Sequence, residues 1–254
     1  MSETIETADV LVVESLGEVE RVTLNRPARL NALNQPLTEA LLTYFEGLRR
    51  KRETRVVILR GAGRAFCAGA DLKAAGTSEA LQDGPNGDWA LRDMQKAMRA
   101  YPQPIIALVR GAAAGGGLTI ALAADVVIAS ESAAFHPAFL AIGLSGAELG
   151  VSWRLQRAIG VSRAREMLLA GRPLRAETAL AAGLVSAVTS EANLDAYGEA
   201  LAADRLKARP DALRLTKRTL DAALESPSLE VAYELEERAQ MLMIARRGPA
   251  SDRG

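Results

Sequence analysis

Gly61-Ala62-Gly63-Arg64-Ala65-Phe66-Cys67-Ala68-Gly69-Ala70-Asp71-Leu72 and Gly111-Ala112-Ala113-Ala114-Gly115-Gly116-Gly117-Leu118 are the two stretches on which the reading of this chain turns. Each follows an apolar, strand-like run, Val56-Val57-Ile58-Leu59 for the first and Pro104-Ile105-Ile106-Ala107-Leu108-Val109 for the second, and each opens a helix-like one. Glycine-rich turns of this kind expose free backbone N–H groups at the mouth of a helix. Two such mouths facing one another make a pocket of donors for a developing negative oxygen, the largest single contribution to much acyl-group chemistry.

Working outward, Val10–Glu14 and Val19–Leu24 read as a hairpin across Leu16-Gly17-Glu18. A helix is expected from Asn34-Gln35-Pro36, with Leu37, Ala40, Leu41, Tyr44, Phe45 and Leu48 at helical spacing, ending in the basic run Arg49-Arg50-Lys51-Arg52. Residues 74–88, with Gly76, Gly84, Pro85 and Gly87, break periodicity and read as a mobile surface excursion before a helix resumes from Trp89 to Ala100. Val126-Val127-Ile128-Ala129 is a further strand, and Leu184–Val188 a strand-like break in a mainly helical second half. Leu194–Ala208, Pro210–Leu224 and Leu229–Arg246 read as three successive helices. The alternation implies an α/β core over residues 1–190 and a helical C-terminal region over 191–254.

Composition narrows the function classes. The chain has 254 residues, enough for a sizeable core, and with 49% hydrophobic but only 4% aromatic residues that core is aliphatic. Lysine plus arginine (31) balances aspartate plus glutamate (31), which argues against a nucleic-acid surface as the main function. The single cysteine, Cys67, excludes an intrachain disulfide, and no Cys/His cluster has metal-ligand spacing. A reducing, cytoplasmic setting fits. Met1–Asp9 is polar and acidic, unlike a targeting signal, and Leu118–Ala129 is interrupted by Thr119 and Asp125, so no membrane span is expected.

Several collinear motifs carry a resemblance. Asn25-Arg26-Pro27-Ala28-Arg29-Leu30-Asn31-Ala32-Leu33, Gly63–Lys73, Pro104–Ala107 with Gly111 and Gly115-Gly116-Gly117, Ala124–Ala129, Leu169-Ala170-Gly171-Arg172 and Ala182-Gly183-Leu184-Val185 together resemble the crotonase, or enoyl-CoA hydratase/isomerase, superfamily over about residues 8–246. The resemblance implies a spiral of ββα units with a C-terminal helical trimerisation region, and an acyl-CoA thioester as ligand, CoA being part of the substrate and no separate cofactor being needed. It implies a homotrimer or dimer of trimers. By position it implies that the thioester oxygen sits between the backbone N–H groups of Ala70 and Gly116, beside Gly115. It also implies CoA contacts from Arg29, Lys73 and the Asp71 region, with Phe66, Ala68 and Leu72 lining the channel, and makes Lys217 or Arg218 candidates to reach CoA.

The sequence departs from the family at its catalytic carboxylates. Where hydratases of the family carry two glutamates this chain has Thr119 and Phe139, neither of them a general base, so both are read as substrate-contacting positions. One acidic candidate remains, Glu148 in Gly143-Leu144-Ser145-Gly146-Ala147-Glu148-Leu149-Gly150, at a loop resembling one that carries a catalytic aspartate in dienoyl-CoA isomerases. Burial beside an apolar acyl chain is expected to raise its pKa toward neutrality. Its competing role is to cap a helix starting near Val151. His136 and Cys67 read as packing residues, no G-x-S-x-G elbow is present, and neither glycine stretch spells a dinucleotide fingerprint.

Two functions are therefore open: an enoyl-CoA hydratase or isomerase working through a thioester enolate in fatty-acid or related acyl-CoA metabolism, with Ala70, Gly116 and Glu148 as its catalytic groups, or a family member that binds acyl-CoA after losing hydratase activity. Leu229, Tyr233, Leu235, Leu242 and Ile244 give the last helices apolar faces suited to subunit contacts, with docking over the active site as the alternative.

Overall fold

The computed structural model of the chain describes residues 4–7, 9–73 and 88–246. Its strands are β1 (Thr4–Thr7), β2 (Leu11–Leu16), β3 (Val19–Leu24), β4 (Val56–Gly61), β5 (Ile105–Val109), β6 (Ala112–Ala114), β7 (Val126–Ser130), β8 (Ala134–His136), β9 (Leu174–Arg175) and β10 (Ala187–Thr189). Its helices are α1 (Gln35–Gly47), α2 (Asp88–Ala100), α3 (Gly116–Ala123), α4 (Val151–Ile159), α5 (Val161–Ala170), α6 (Ala176–Ala182), α7 (Leu194–Leu206), α8 (Pro210–Glu225) and α9 (Leu229–Ala245).

The larger sheet runs β1-β2-β3-β4-β5-β7-β10. The pairs β1–β2 and β2–β3 are antiparallel, and every pair from β3 onward is parallel. Side chains alternate across its parallel strands as the two-residue strand period requires. Val57, Leu59, Ile105, Ala107, Val109, Val127 and Ala129 enter the main core, while Val56, Ile58, Ile106, Leu108 and Ile128 enter a second core on the opposite face. Both faces are covered, which explains why these strands read as unbroken apolar runs. The second face is closed by α7 through Leu194 and Ala202, with Gly198 so close to Leu108 that a Cβ there would lie 2.7 Å from it.

Local signals acted as expected in several places. The Asn34 side chain accepts from the Leu37 N–H and caps α1, whose Pro36 occupies the first turn where its missing donor costs nothing. Gly17 turns the β2–β3 hairpin at φ +74°. The surface excursion expected over 74–88 lies outside the described residues except for Asp88, which opens α2.

The C-terminal helices are tied down unevenly. In α8, Lys217 is buried and its Nζ donates to Met98 O, Gln103 O and the Asp125 carboxylate at 2.9, 3.0 and 2.8 Å. Asp125 in turn accepts from Ile105 N–H at 2.7 Å, so this pair locks α8 to the start of β5. Lys217 is accordingly an internal anchor and not a residue that reaches CoA. Helix α9 has no buried residue, and Leu229, Tyr233, Met241, Leu242 and Ile244 are all exposed.

Candidate active site

A second sheet of three short strands, β6-β8-β9, assembles the site. The first glycine stretch runs along it: Phe66 N–H donates to Arg110 O, Cys67 N–H to Ala112 O, and Ala114 N–H returns to Cys67 O, at 2.7, 3.0 and 2.9 Å. Both glycine turns thereby leave the same edge side by side, with a Cβ on Gly69 falling 2.7 Å from Ala114 O and 3.6 Å from Gly115 Cα. On its other side the first turn pairs with residues 30–33: Ala68 N–H donates to Leu30 O, Leu33 N–H to Gly69 O, and Asp71 N–H to Leu33 O. In this parallel bridge Leu33 takes both bonds from residues 69 and 71, so the N–H of Ala70 itself faces away from Leu33.

The second turn ends at Gly115, whose φ of +49° and ψ of −117° only glycine adopts readily. Gly115 N–H donates to His136 O, and Gly115 O accepts the first α3 bond from Thr119. Gly116 is thus the first residue of α3, a position whose N–H has no partner within the helix. Gly117 lets α3 press on the other turn, because a Cβ there would lie 2.3 Å from Cys67 O. The first glycine stretch, unlike the second, passes through turns to Lys73 without opening a helix among the described residues.

Ala70 and Gly116 share the wall of a cavity of about 110 Å³ with Gly115, Ala68, Leu72, Phe139 and Glu148. Leu91, Ala138, Ile142, Leu144 and Leu149 complete an otherwise apolar lining in which Glu148 is the one titratable side chain among the described residues. Glu148 sits in a tight turn: Leu149 and Gly150 both take left-handed φ, +49° and +76°, before α4 starts at Val151. A left-handed leucine costs about 1–2 kcal/mol. Gly150 is the N-cap of α4, and the Glu148 carbonyl accepts from the Val151 N–H at 3.0 Å, so the main chain of Glu148 meets the start of that helix.

Five of the expected contacts lie elsewhere. Thr119 is buried behind the cavity wall, its hydroxyl donating to Gly116 O at 2.8 Å and accepting from Gln95 Nε2 at 2.9 Å, because its place on α3 turns it inward. Phe66 is fully buried in the main core and does not line the cavity. Asp71 pairs with Arg26 Nη2 at 2.8 Å instead of facing the cavity. Arg29 and Lys73 are exposed and do not line the cavity, although the Arg26–Asp71 pair ties together the two short segments that carry them.

Residues with no assigned role in the sequence reading hold the first turn. Asn31, fully buried, accepts from Arg26 N–H and donates to Ala62 O and Ala65 O at 2.8, 2.9 and 2.8 Å. It takes a φ of +55°, after Leu30 at +52°, and the signal available in the sequence is the residue type itself, since asparagine tolerates the left-handed region better than most residues. Leu33 and Leu91, the latter part of the cavity lining, pack beside Gly116, where a Cβ would meet their Cδ1 atoms at 2.8 and 3.5 Å.

The other candidate nucleophile and acid–base groups are inert here. Burial pushes the Cys67 thiol up to about 12, against smaller lowering effects of the Gly69 backbone and Arg26, so it stays a protonated hydrophobe. Partial burial, and secondarily Arg175, lowers the His136 pKa, which keeps the ring neutral; it does not line the cavity.

The family model described as enoyl-CoA hydratase/isomerase matches residues 14–248. A probable enoyl-CoA hydratase of Mycobacterium tuberculosis is 42% identical over 241 residues, covering 92% of this chain and 84% of the relative. The solved enoyl-CoA hydratase of Bacillus anthracis superposes with a TM-score of 0.88 at 32% identity, over 93% of this chain and 91% of the other. A monofunctional enoyl CoA isomerase from M. smegmatis gives a TM-score of 0.77 at 38% identity, over 89% and 99%.

Proposed function

This chain belongs to the enoyl-CoA hydratase/isomerase family and is an enzyme of it, and from that premise we propose that it shifts the double bond of an unsaturated acyl-CoA, with Glu148 as the proton carrier. The observation that carries the reading is the cavity lining itself: the backbones of Ala70 and Gly116 and a single titratable residue, Glu148, share one otherwise apolar cavity. The thioester carbonyl oxygen would accept from both N–H groups. Glu148 takes a proton from the carbon next to the thioester of a 3-enoyl-CoA, the electron pair delocalises onto the oxygen as a dienolate, and the same carboxyl, its proton exchanging with solvent in the interval, delivers a proton to C4 to leave the 2-enoyl-CoA. Each preorganised donor of this type contributes roughly 3–4 kcal/mol to the transition state.

Isomerisation is favoured over hydration because the groups a water needs are missing. Hydration in this family relies on two carboxylates, whereas Phe139 supplies an apolar wall and the Thr119 hydroxyl is already engaged on both sides. The proposed substrate carries CoA, so no further cofactor is required, and Arg29 and Lys73 are the cations proposed to meet its phosphates. The proposed assembly is a homotrimer or a dimer of trimers that covers the exposed apolar side chains of α9. Among the described residues no helix is long and apolar enough to cross a membrane, and a cytoplasmic setting is part of the proposal.

Side-by-side assay of crotonyl-, longer 2-enoyl-, 3-enoyl- and dienoyl-CoA in deuterated water tests this. The expected result is conversion of 3-enoyl to 2-enoyl thioester with deuterium entering at C4, faster than any water addition. Faster hydration of 2-enoyl-CoA, or tight binding with no turnover of any member, would overturn it.

A further inference from the structure

The two amides that share the cavity have different supports behind them. In a trans peptide the C=O and the N–H point in opposite directions, so a group that donates to the carbonyl polarises the amide hydrogen on the other side. Gly116 N–H belongs to the peptide whose carbonyl, Gly115 O, accepts from Thr119 N–H at 3.1 Å, and behind that bond stands the rest of α3 with its dipole. Ala70 N–H belongs to the peptide whose carbonyl, Gly69 O, accepts from Leu33 N–H at 2.7 Å. No helix opens at Ala70 among the described residues, so this amide lacks the support that the other has.

Arg26 supplies what a helix would. Leu33 N–H is one half of a peptide whose other half, Ala32 O, accepts from Arg26 Nη1. The path is therefore continuous from the guanidinium through peptide 32–33 and peptide 69–70 to Ala70 N–H. A cation at the head of such a chain draws electron density back along each link and strengthens every donor after it. The second arm, Nη2, pairs with the Asp71 carboxylate at 2.8 Å, on the residue next to Ala70. With side chains 15% and 9% exposed, the pair sits largely out of water, where charges act more strongly. The main chain of Arg26 is fixed as well, its N–H donating to Asn31 Oδ1 at 2.8 Å and its carbonyl accepting from Asn31 N–H at 2.9 Å.

We infer that Arg26 is a positioning residue for the reaction, strengthening the Ala70 amide through the Ala32 and Gly69 carbonyls as α3 strengthens that of Gly116. The inference rests on the reading of Ala70 and Gly116 as donors to a thioester oxygen and says what makes the first of them strong. Asp71 plays the opposite part, because its carboxylate partly neutralises the guanidinium and opposes negative charge on that oxygen. A plain clamp between the two segments would need both residues alike. The relay sets them against each other: losing the cation weakens the donor, and losing the carboxylate strengthens it.

Isotope-edited infrared spectroscopy of carbonyl-labelled butyryl-CoA, which has no double bond to shift, tests the inference in the full chain. Binding is expected to displace the thioester carbonyl stretch to lower frequency, by an amount that reports donor strength at that oxygen. Arg26→Met is expected to lose at least about a tenth of the displacement, the scale of one cooperative link, and to lower kcat roughly two- to tenfold with KM little changed. Asp71→Asn, of nearly the same shape, is expected to give a larger displacement than the wild type. An unchanged displacement in Arg26→Met overturns the inference. So does a displacement in Asp71→Asn no larger than that of the wild type, a result that decides alone if thermal unfolding shows Arg26→Met to be unfolded. A wild-type protein that binds butyryl-CoA without displacing the stretch overturns the Ala70 and Gly116 reading itself.

Discussion

Gly116→Pro is expected to lower kcat by roughly 10²–10³-fold while Gly116→Ala loses far less, because the first removes a backbone donor and the second does not. Gly116 is the first residue of α3, where proline is well tolerated: the N–H it lacks has no helical partner and its fixed φ suits the helix start. Both substitutions introduce the same Cβ, which would meet Leu33 Cδ1 at 2.8 Å and Leu91 Cδ1 at 3.5 Å. Those are the ends of flexible side chains, and the cost of the Cβ is common to both variants; the proline ring also places Cδ where the amide hydrogen stood and restricts Gly115, so the proline loss includes this added crowding. Turnover of the best substrate, with thermal unfolding as a check on the fold, reads the difference. Equal losses in the two variants would show that the amide does not hold the reacting oxygen.

Glu148→Gln should abolish most of the remaining chemistry, with a fall in kcat of roughly 10²–10⁴-fold, the range for loss of a positioned general base. The substitution keeps shape and hydrogen-bonding capacity, and the Glu148 carbonyl that accepts from the Val151 N–H belongs to the main chain, so the turn made by Leu149 and Gly150 is expected to persist. Acyl-CoA affinity should change little, because the proposed donors to the thioester are Ala70 and Gly116. Solvent deuterium should no longer enter the carbon next to the thioester. Exchange at the wild-type rate in Glu148→Gln would remove this residue from the proton path.

How much of this was readable in advance depends on how much information each element carries. The parallel strands β4, β5 and β7 stand out because both of their faces are buried, and α7, α8 and α9 were expected within about two residues of their ends because their apolar spacing and Pro210 mark them. The strand β1 was not visible: four residues, Thr-Ile-Glu-Thr, contain too little pattern. Nor were β6, β8 and β9, which are two or three residues each and are held by partners distant in sequence.

At the site, glycine spacing and resemblance located Ala70, Gly116 and Glu148 on what proves to be one cavity wall. Side-chain direction was harder. Phe66 and Ala68 sit in one motif, yet only Ala68 reaches the cavity, and Thr119 on α3 points behind it to Gln95. Lys217 looks like any surface cation in sequence, because the Asp125 that draws it inward lies 92 positions away.

The most direct test of the account is a crystal structure with a non-reactive acyl-CoA bound, read at two distances: Ala70 N and Gly116 N to the thioester carbonyl oxygen. The account predicts both at about 2.7–3.1 Å from that one oxygen, with the Glu148 carboxylate facing the adjacent carbon. A carbonyl oxygen held by other groups, or either amide directed away from it, would contradict the account.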